Sequence, residues 1–190
     1  MNHKVCAIIL LLAMTTQAQT EAPPEVFTTV TGAEYHLVHA EMPEQFGTSY
    51  VNHDGLIWGD VMHKGEAVWV TTGDHAKSAC EQIETQWGPA HLPTADEFIK
   101  MRESMSDNPN PNSKTELDQT GESKNAFYNV LSPAIINIGK YYDWTVVFWS
   151  SSRYENGNYF NFDSGSGDLT NLARNYYTPF RCVVQSDLKF

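Results

Sequence analysis

Two cysteines about a hundred residues apart constrain this chain more than any other feature. Cys80 falls in a segment with helical spacing of apolar residues, and Cys182 falls in the last strand-like run. A bridge between them would make the start of a domain the neighbour of its end. Closing a loop of that length contributes about 4.7 kcal/mol in the chain-entropy model, less any strain. Whether they pair depends on the compartment, and residues 1–18 read as an export signal. His3 and Lys4 form a positive n-region, and the apolar run over 5–14 is too short to span a bilayer. Thr16-Gln17-Ala18 then offers small residues at a cleavage site, so the mature chain is expected to begin near Gln19; the alternative is an uncleaved anchor. Cys6 leaves with the signal, and an even count remains in an oxidising compartment, where pairing is the rule. The alternative is two separate buried thiols. Neither has a second Cys two to four residues away, so zinc-ribbon spacing is missing.

About 170 residues remain, enough for one domain with a sizeable core. Residues 19–49 read as an N-terminal extension and hairpin, and residues 50–190 as the main domain. Without Lys4 the chain carries 11 Lys and Arg against 23 Asp and Glu, a net −12. No basic stripe collects phosphates, which argues against nucleic acid and anionic polymers or membranes as partners. Aromatic residues make up 12% of the chain, with nine Tyr and five Trp. That many amphipathic rings in an exported domain suit a surface meant for contact, although most will be core.

Residues 19–25 form a polar leader, and Phe27-Thr28-Thr29-Val30 with Glu34-Tyr35-His36-Leu37-Val38 reads as a hairpin around Gly32-Ala33. A turn over 52–55 precedes the strand Leu56-Ile57-Trp58, and Ala67-Val68-Trp69-Val70 reads as one short strand. Thr72-Gly73-Asp74 starts a helix expected to reach about Gln86, with Ala76, Ala79, Cys80 and Ile83 on one face. Thr94 and Glu97 form a capping box for a second helix that buries Phe98 and Met101. Residues 106–123 are polar and rich in Asn and Pro, an exposed loop. Residues 144–152 are apolar on both faces, which predicts a central strand. Asn156-Gly157 predicts a two-residue hairpin turn with a return strand Tyr159-Phe160-Asn161-Phe162, and 180–184 supplies the last strand. Two early helices and a twisted antiparallel sheet make an α+β domain.

Gly55-Leu56-Ile57-Trp58, Ala79-Cys80, Leu92-Pro93-Thr94-Ala95-Asp96-Glu97-Phe98, Phe148-Trp149-Ser150-Ser151-Ser152, Asn161-Phe162-Asp163-Ser164-Gly165 and Arg181-Cys182-Val183-Val184 occur in a familiar order. Over about residues 50–185 the chain resembles a bacterial domain family of unknown function that includes the C-terminal domain of collagen-like adhesins. That family is similar to a variant of the C-type lectin fold, distantly like formylglycine-generating enzymes. The resemblance implies a C-type-lectin-like fold with adjacent termini and a disulfide from the first helix to the last strand. Ala90 and His91 stand where the family has Trp-Arg, so any ion pair of that Arg is missing from the pattern.

Several chemistries lose their residues on inspection. Formylglycine-type oxidation needs a reactive thiol, and a Cys80–Cys182 bridge would use both mature cysteines. Glu-Pro-Asn, Gln-Pro-Asp and Trp-Asn-Asp, which the resemblance would lead one to seek for calcium-dependent sugar binding, are absent. Asp163 and Asp168 flank a glycine-rich loop that could hold a calcium ion; the competing reading is a plain turn, and no cofactor or metal is otherwise expected. His36 and His39, three apart on a strand, would point to opposite faces and make no zinc site. Ser150-Ser151-Ser152 lacks a nucleophile elbow, so hydroxyl-to-backbone bonds are expected there. Paired carboxylates for a glycosidase arise by chance in so acidic a chain.

The expectation is therefore an exported, non-catalytic recognition or adhesion module, in the periplasm, at the cell surface or secreted, binding an extracellular glycan or protein. The alternatives are a structural component of the cell envelope, in which oligomers would form, and then a hydrolytic enzyme. Tyr141, Tyr142, Tyr154, Tyr159, Tyr176 and Tyr177 fall in the loop-rich late half, where rings can face a ligand. The candidate ligand-binding residues are Tyr154, Asn158, Asp163, Asp168, Asn175 and Tyr176.

Overall fold

The computed structural model describes residues 25–29, 31–65, 67–105, 147–163, 169–173 and 175–190. The signal segment, the Asn- and Pro-rich loop over 106–123 and residues 144–146 lie outside the described residues. The expected mixture of two helices and antiparallel strands is present. The N-terminal half supplies β1 (Val26–Thr28), β2 (Glu34–Leu37), a 3-10 turn (Glu44–Phe46), β3 (Tyr50–Asn52), β4 (Leu56–Val61), β5 (His63–Lys64), β6 (Ala67–Val68) and β7 (Val70–Thr71). Helix α1 (Gly73–Glu81), β8 (Glu84–Thr85), β9 (Gly88–Pro89) and α2 (Ala95–Met105) follow. The late half holds β10 (Val147–Arg153), β11 (Tyr159–Asp163), β12 (Leu169–Leu172), β13 (Thr178–Pro179) and β14 (Arg181–Gln185).

Strands β1, β2, β3, β4 and β14 form one antiparallel sheet in that order, and β10, β11 and β12 form a second. Side chains alternate across a strand, and here each side meets a different core. Tyr50, Leu56, Trp58, Val183, Phe148 and Phe162 pack with Phe98 and Met101 of α2. Their sequence neighbours Val51, Ile57, Cys182, Val184, Trp149 and Tyr159 pack with Ala76 and Cys80 of α1. Strands β3, β4, β10, β11 and β14 thus meet a core on each face, which is why they are rich in apolar residues, while β1, β2 and β12 keep exposed positions.

That arrangement corrects the placing of β10. Among the described residues it is an edge strand, paired only with β11. Its two apolar faces arise because Phe148 and Trp149, both fully buried, enter opposite cores, with the Trp149 indole donating to Thr71 O at 2.7 Å. Helix α1 also ends earlier than periodicity suggests. Ile83 N–H bonds back to Cys80 O, and Glu84–Thr85 pairs with Gly88–Pro89 as a small hairpin. The expected strand at Ala67 splits in two: β6 pairs with β5, β7 pairs with β13, and Trp69 between them donates to Met62 O. The Asn-Gly turn is a three-residue one. Tyr154 N–H bonds Asn158 O, and Gly157, at φ 80°, donates to Tyr154 O, so the loop is Glu155 to Gly157. A left-handed φ at that place selects glycine.

The N-terminal hairpin is part of the same sheet. Tyr35 is buried in the α2-side core and its hydroxyl meets Ser104 Oγ at 2.7 Å; burial pushes its pKa up to about 12. Thr29 Oγ1 donates to Ser104 O at 2.6 Å and Thr31 Oγ1 does the same, satisfying a last-turn carbonyl of α2. The other end of α2 carries the expected capping box. Glu97 N–H donates to Thr94 Oγ1 at 3.2 Å, and Thr94 N–H donates to Glu97 Oε2 at 2.6 Å. Ser152 Oγ accepts from Ala95 N–H, and Ser150 Oγ from Ser152 N–H, so these two hydroxyls serve the backbone. Arg181, next to Cys182 in the chain, is buried; it donates to Gly59 O at 3.0 Å and lies over the Phe148 ring, and burial lowers its pKa to about 10 despite Asp60.

Cys80 and Cys182 are bonded, 102 residues apart in the chain with Cα atoms 5.4 Å from each other. Mass spectrometry of the protein under non-reducing conditions is expected to find no free thiol at either position. Cys182→Ala is expected to lower the unfolding free energy by roughly 2–5 kcal/mol, read from urea midpoints; an unchanged midpoint would deny the bridge any part in stability.

Glu97 yields a second expectation. Burial acts to raise its carboxyl pKa, but hydrogen bonds from His91, 2.9 Å away, and from Thr94 outweigh it and hold the pKa below 4.5. A folded-state pKa below the unfolded one gives stability that is present above the unfolded value and lost as pH falls through the folded one. Urea midpoints should therefore drop between about pH 5 and pH 3 less steeply in Glu97→Gln than in the parent. Identical slopes would rule Glu97 out as a contributor.

Candidate functional site

The pairing of Tyr159 with Leu172 and of Arg153 with Tyr159 defines one end of the three-stranded sheet. The β10–β11 turn, the segment leaving β12 and the start of α1 meet there, because Tyr159 reaches Asp74 in the first turn of α1. Gly73 permits the approach. A Cβ on it would lie 2.4 Å from Tyr159 Cδ2, closer than any packing allows.

Three polar groups close into a ring. Tyr159 Oη donates to Asp74 Oδ1 at 2.7 Å, and Arg153 Nη2 donates to both, at 2.5 Å to the hydroxyl and 2.7 Å to the carboxylate. The guanidinium also lies 4.4 Å over the Tyr159 ring. Burial first, then the hydrogen bond to Asp74, push the Tyr159 pKa up; the Tyr159 hydroxyl, then Asp74, raise that of Arg153. A tyrosine with a raised pKa is a hydrogen-bond donor at neutral pH and a poor nucleophile. Arg153 and Asp74 are about half exposed, so their pairing orients groups more than it stabilises the fold.

Four of the expected ligand-binding residues come to this end. Tyr154 stacks on Phe160 with ring centres 3.8 Å apart and is half-buried. Asn158 Nδ2 donates to Asn171 Oδ1 at 3.0 Å across the β11–β12 pair, where Phe160 opposes Asn171. Asn175 and Tyr176 lie in a turn closed by Tyr176 N–H to Ala173 O, and both are exposed. Tyr176 is 57% and Tyr177 70% exposed; Val70, opposite Pro179 in the β7–β13 pair, is 49% exposed.

The remaining candidates do not join them. Asp163 ends β11 five residues beyond Asn158, about 17 Å away at strand rise, because a strand separates its ends. Asp168, Tyr141 and Tyr142 lie outside the described residues. Among the described residues no three His, Cys, Asp or Glu side chains are grouped to hold a metal. Tyr159 is fully buried, a scaffold ring instead of a loop ring. Asp74, Arg153, Val70 and Phe160 were not among the expected site residues. The basic Arg153 just before Tyr-Glu-Asn-Gly, and Asp74 in the first turn of a helix, were the signals present for two of them. Elsewhere a concavity of about 260 Å³ opens between Glu44, Asp60, His63, Gly47 and Gly65, and no Phe, Tyr or Trp lines it.

The chain matches no family model, no curated protein and no solved structure.

The rings divide into scaffold and surface, and stability separates them. Tyr154→Ala should cost at least about 0.5–1.5 kcal/mol through loss of the Phe160 stack. Tyr177→Ala should stay within about 0.5 kcal/mol of the parent. Thermal melts of the two variants check this, and equal losses would place Tyr177 in the scaffold.

Proposed function

We propose that this chain is an exported, non-catalytic recognition module that binds an extracellular ligand at the end of its three-stranded sheet. The observation that carries the reading is the pair Tyr176 and Tyr177, more than half exposed in the segment that leads into β13, which is itself paired with β7. Large rings held in water by a rigid frame are costly to solvate and useful for contact. The ring of Asp74, Arg153 and Tyr159 and the Asn158–Asn171 pair supply oriented polar groups at that end of the sheet. Loops set on a rigid scaffold are where binding residues concentrate.

The finer fold belongs to the same proposal: a C-type-lectin-like domain with adjacent termini, as the motif order implies. Two observations support it. Strand β4 pairs with β14, and Cys80 of the first helix is bonded to Cys182 of the last strand. The disulfide and the leader-like residues 1–18 together support export.

The test is an array of glycans and extracellular proteins probed with protein lacking residues 1–18. Saturable binding is expected, reduced in the double variant Tyr176→Ala/Tyr177→Ala, with an unchanged melting temperature. Stable oligomers and no ligand on the array would overturn recognition and favour an assembly component of the cell envelope.

A further inference from the structure

We propose that Asn156 is a site of spontaneous chemical modification, its amide converting to a carboxylate through a cyclic imide with Gly157 in the folded protein. The step needs no reagent but water. The Gly157 backbone nitrogen, having given up its proton to solvent, attacks Asn156 Cγ; a C–N bond forms and ammonia leaves. Water then opens the imide at either carbonyl. One opening leaves aspartate, and the other leaves isoaspartate, in which the main chain runs through the side-chain carbon. One water is consumed, one ammonia is released, and nothing is oxidised or reduced.

Sequence, exposure and turn geometry together select this residue. The chain has one Asn-Gly pair, and glycine sets no Cβ beside the attacking nitrogen. Asn156 is exposed in the β10–β11 loop. Its Oδ1 accepts the Asn158 N–H at 3.0 Å, a side-chain turn that folds the amide back over the Gly157 peptide. That donor also points at the oxygen on which negative charge develops as the nitrogen adds. Gly157 N–H itself donates to Tyr154 O at 2.9 Å, and this bond must open first; single bonds in exposed loops open at little cost.

Asn52 isolates the part played by the glycine. Its Oδ1 accepts the Asp54 N–H at 3.1 Å in the same kind of turn, yet His53 follows it. Asn175 is exposed but precedes Tyr176. The product at Asn156 sets a second negative charge next to exposed Glu155. Isoaspartate also lengthens the loop that the Tyr154 N–H to Asn158 O bond closes at 2.8 Å. The end of the three-stranded sheet that carries Arg153 and Tyr154 thus changes with the age of the protein.

The test is peptide mapping by mass spectrometry of the mature protein held at mildly alkaline pH, native and in urea, with isoaspartate identified by fragmentation. In the native sample Asn156 is expected to give both isoaspartate and aspartate, faster as pH rises, while Asn52 and Asn175 keep their amides. Gly157→Ala should slow the conversion at least about tenfold, because its methyl group crowds the attacking nitrogen. An amide still intact at Asn156 in native protein once the urea sample has converted would overturn the inference, since the turn would then protect it. A rate unchanged in Gly157→Ala, or Asn52 converting as fast as Asn156, would overturn it as well.

Discussion

The structure depends on one constraint: five of its strands, β3, β4, β10, β11 and β14, are buried on both faces, so consecutive residues must satisfy two different cores. Leu56 and Trp58 turn toward α2 while Ile57 between them turns toward α1, and Phe148 and Trp149 divide in the same way. A one-residue slip would exchange the two sets and put every ring in the wrong core. The Cys80–Cys182 bond lies inside the α1-side core and ties α1 to β14, which carries Val183 into the other core. The register of β14 against β4 is therefore held covalently as well as by packing. Only a bulge between Arg181 and Val183 interrupts it, and the buried Arg181 spans that place to reach Gly59.

Function in this arrangement is a matter of what the cores leave over. Tyr159 fills the α1-side core with its ring, and its buried hydroxyl meets the half-exposed Asp74 and Arg153, which cover it. The polar ring is thereby fixed to the core by an aromatic stem. Such groups keep their orientation without a ligand, and an oriented site loses less entropy on binding than a mobile one. Tyr176 and Tyr177 lie between β12 and β13, whose pairings with β11 and β7 hold the segment at both ends.

What the residues alone revealed was local or covalent. Thr94 and Glu97 cap α2 because a three-residue spacing is sufficient to form the box, and Gly157 marks its turn because few residues accept its φ. The cysteine pair followed from counting. What stayed hidden was long-range. Strand β13 is two residues long and exists because a partner distant in sequence pairs with it, Thr71 with Thr178. Alternation cannot tell a central strand from an edge strand pressed between two cores, which is how β10 misleads. The candidate site suffered likewise. Tyr154, Asn158, Asn175 and Tyr176 were legible as turn residues and follow the ends of strands at one end of the three-stranded sheet, but Asp163 looked close to them in sequence while β11 carries it to the far end.

His91 ties the last strand to the second helix. It bridges to Val183 through two backbone bonds of 2.9 Å, beside the disulfide, and its Nε2 lies 2.9 Å from Glu97 Oε1. Glu97 meanwhile uses its other oxygen for Thr94. One carboxylate therefore links the last strand to the start of α2, with half-exposed His91 as the go-between. An imidazole gives that link less reach and fewer donors than a guanidinium would, since only one ring nitrogen faces the carboxylate. Backbone pairing then carries the larger share of the connection, and the side-chain pair adds direction to the capping box rather than the bulk of its strength.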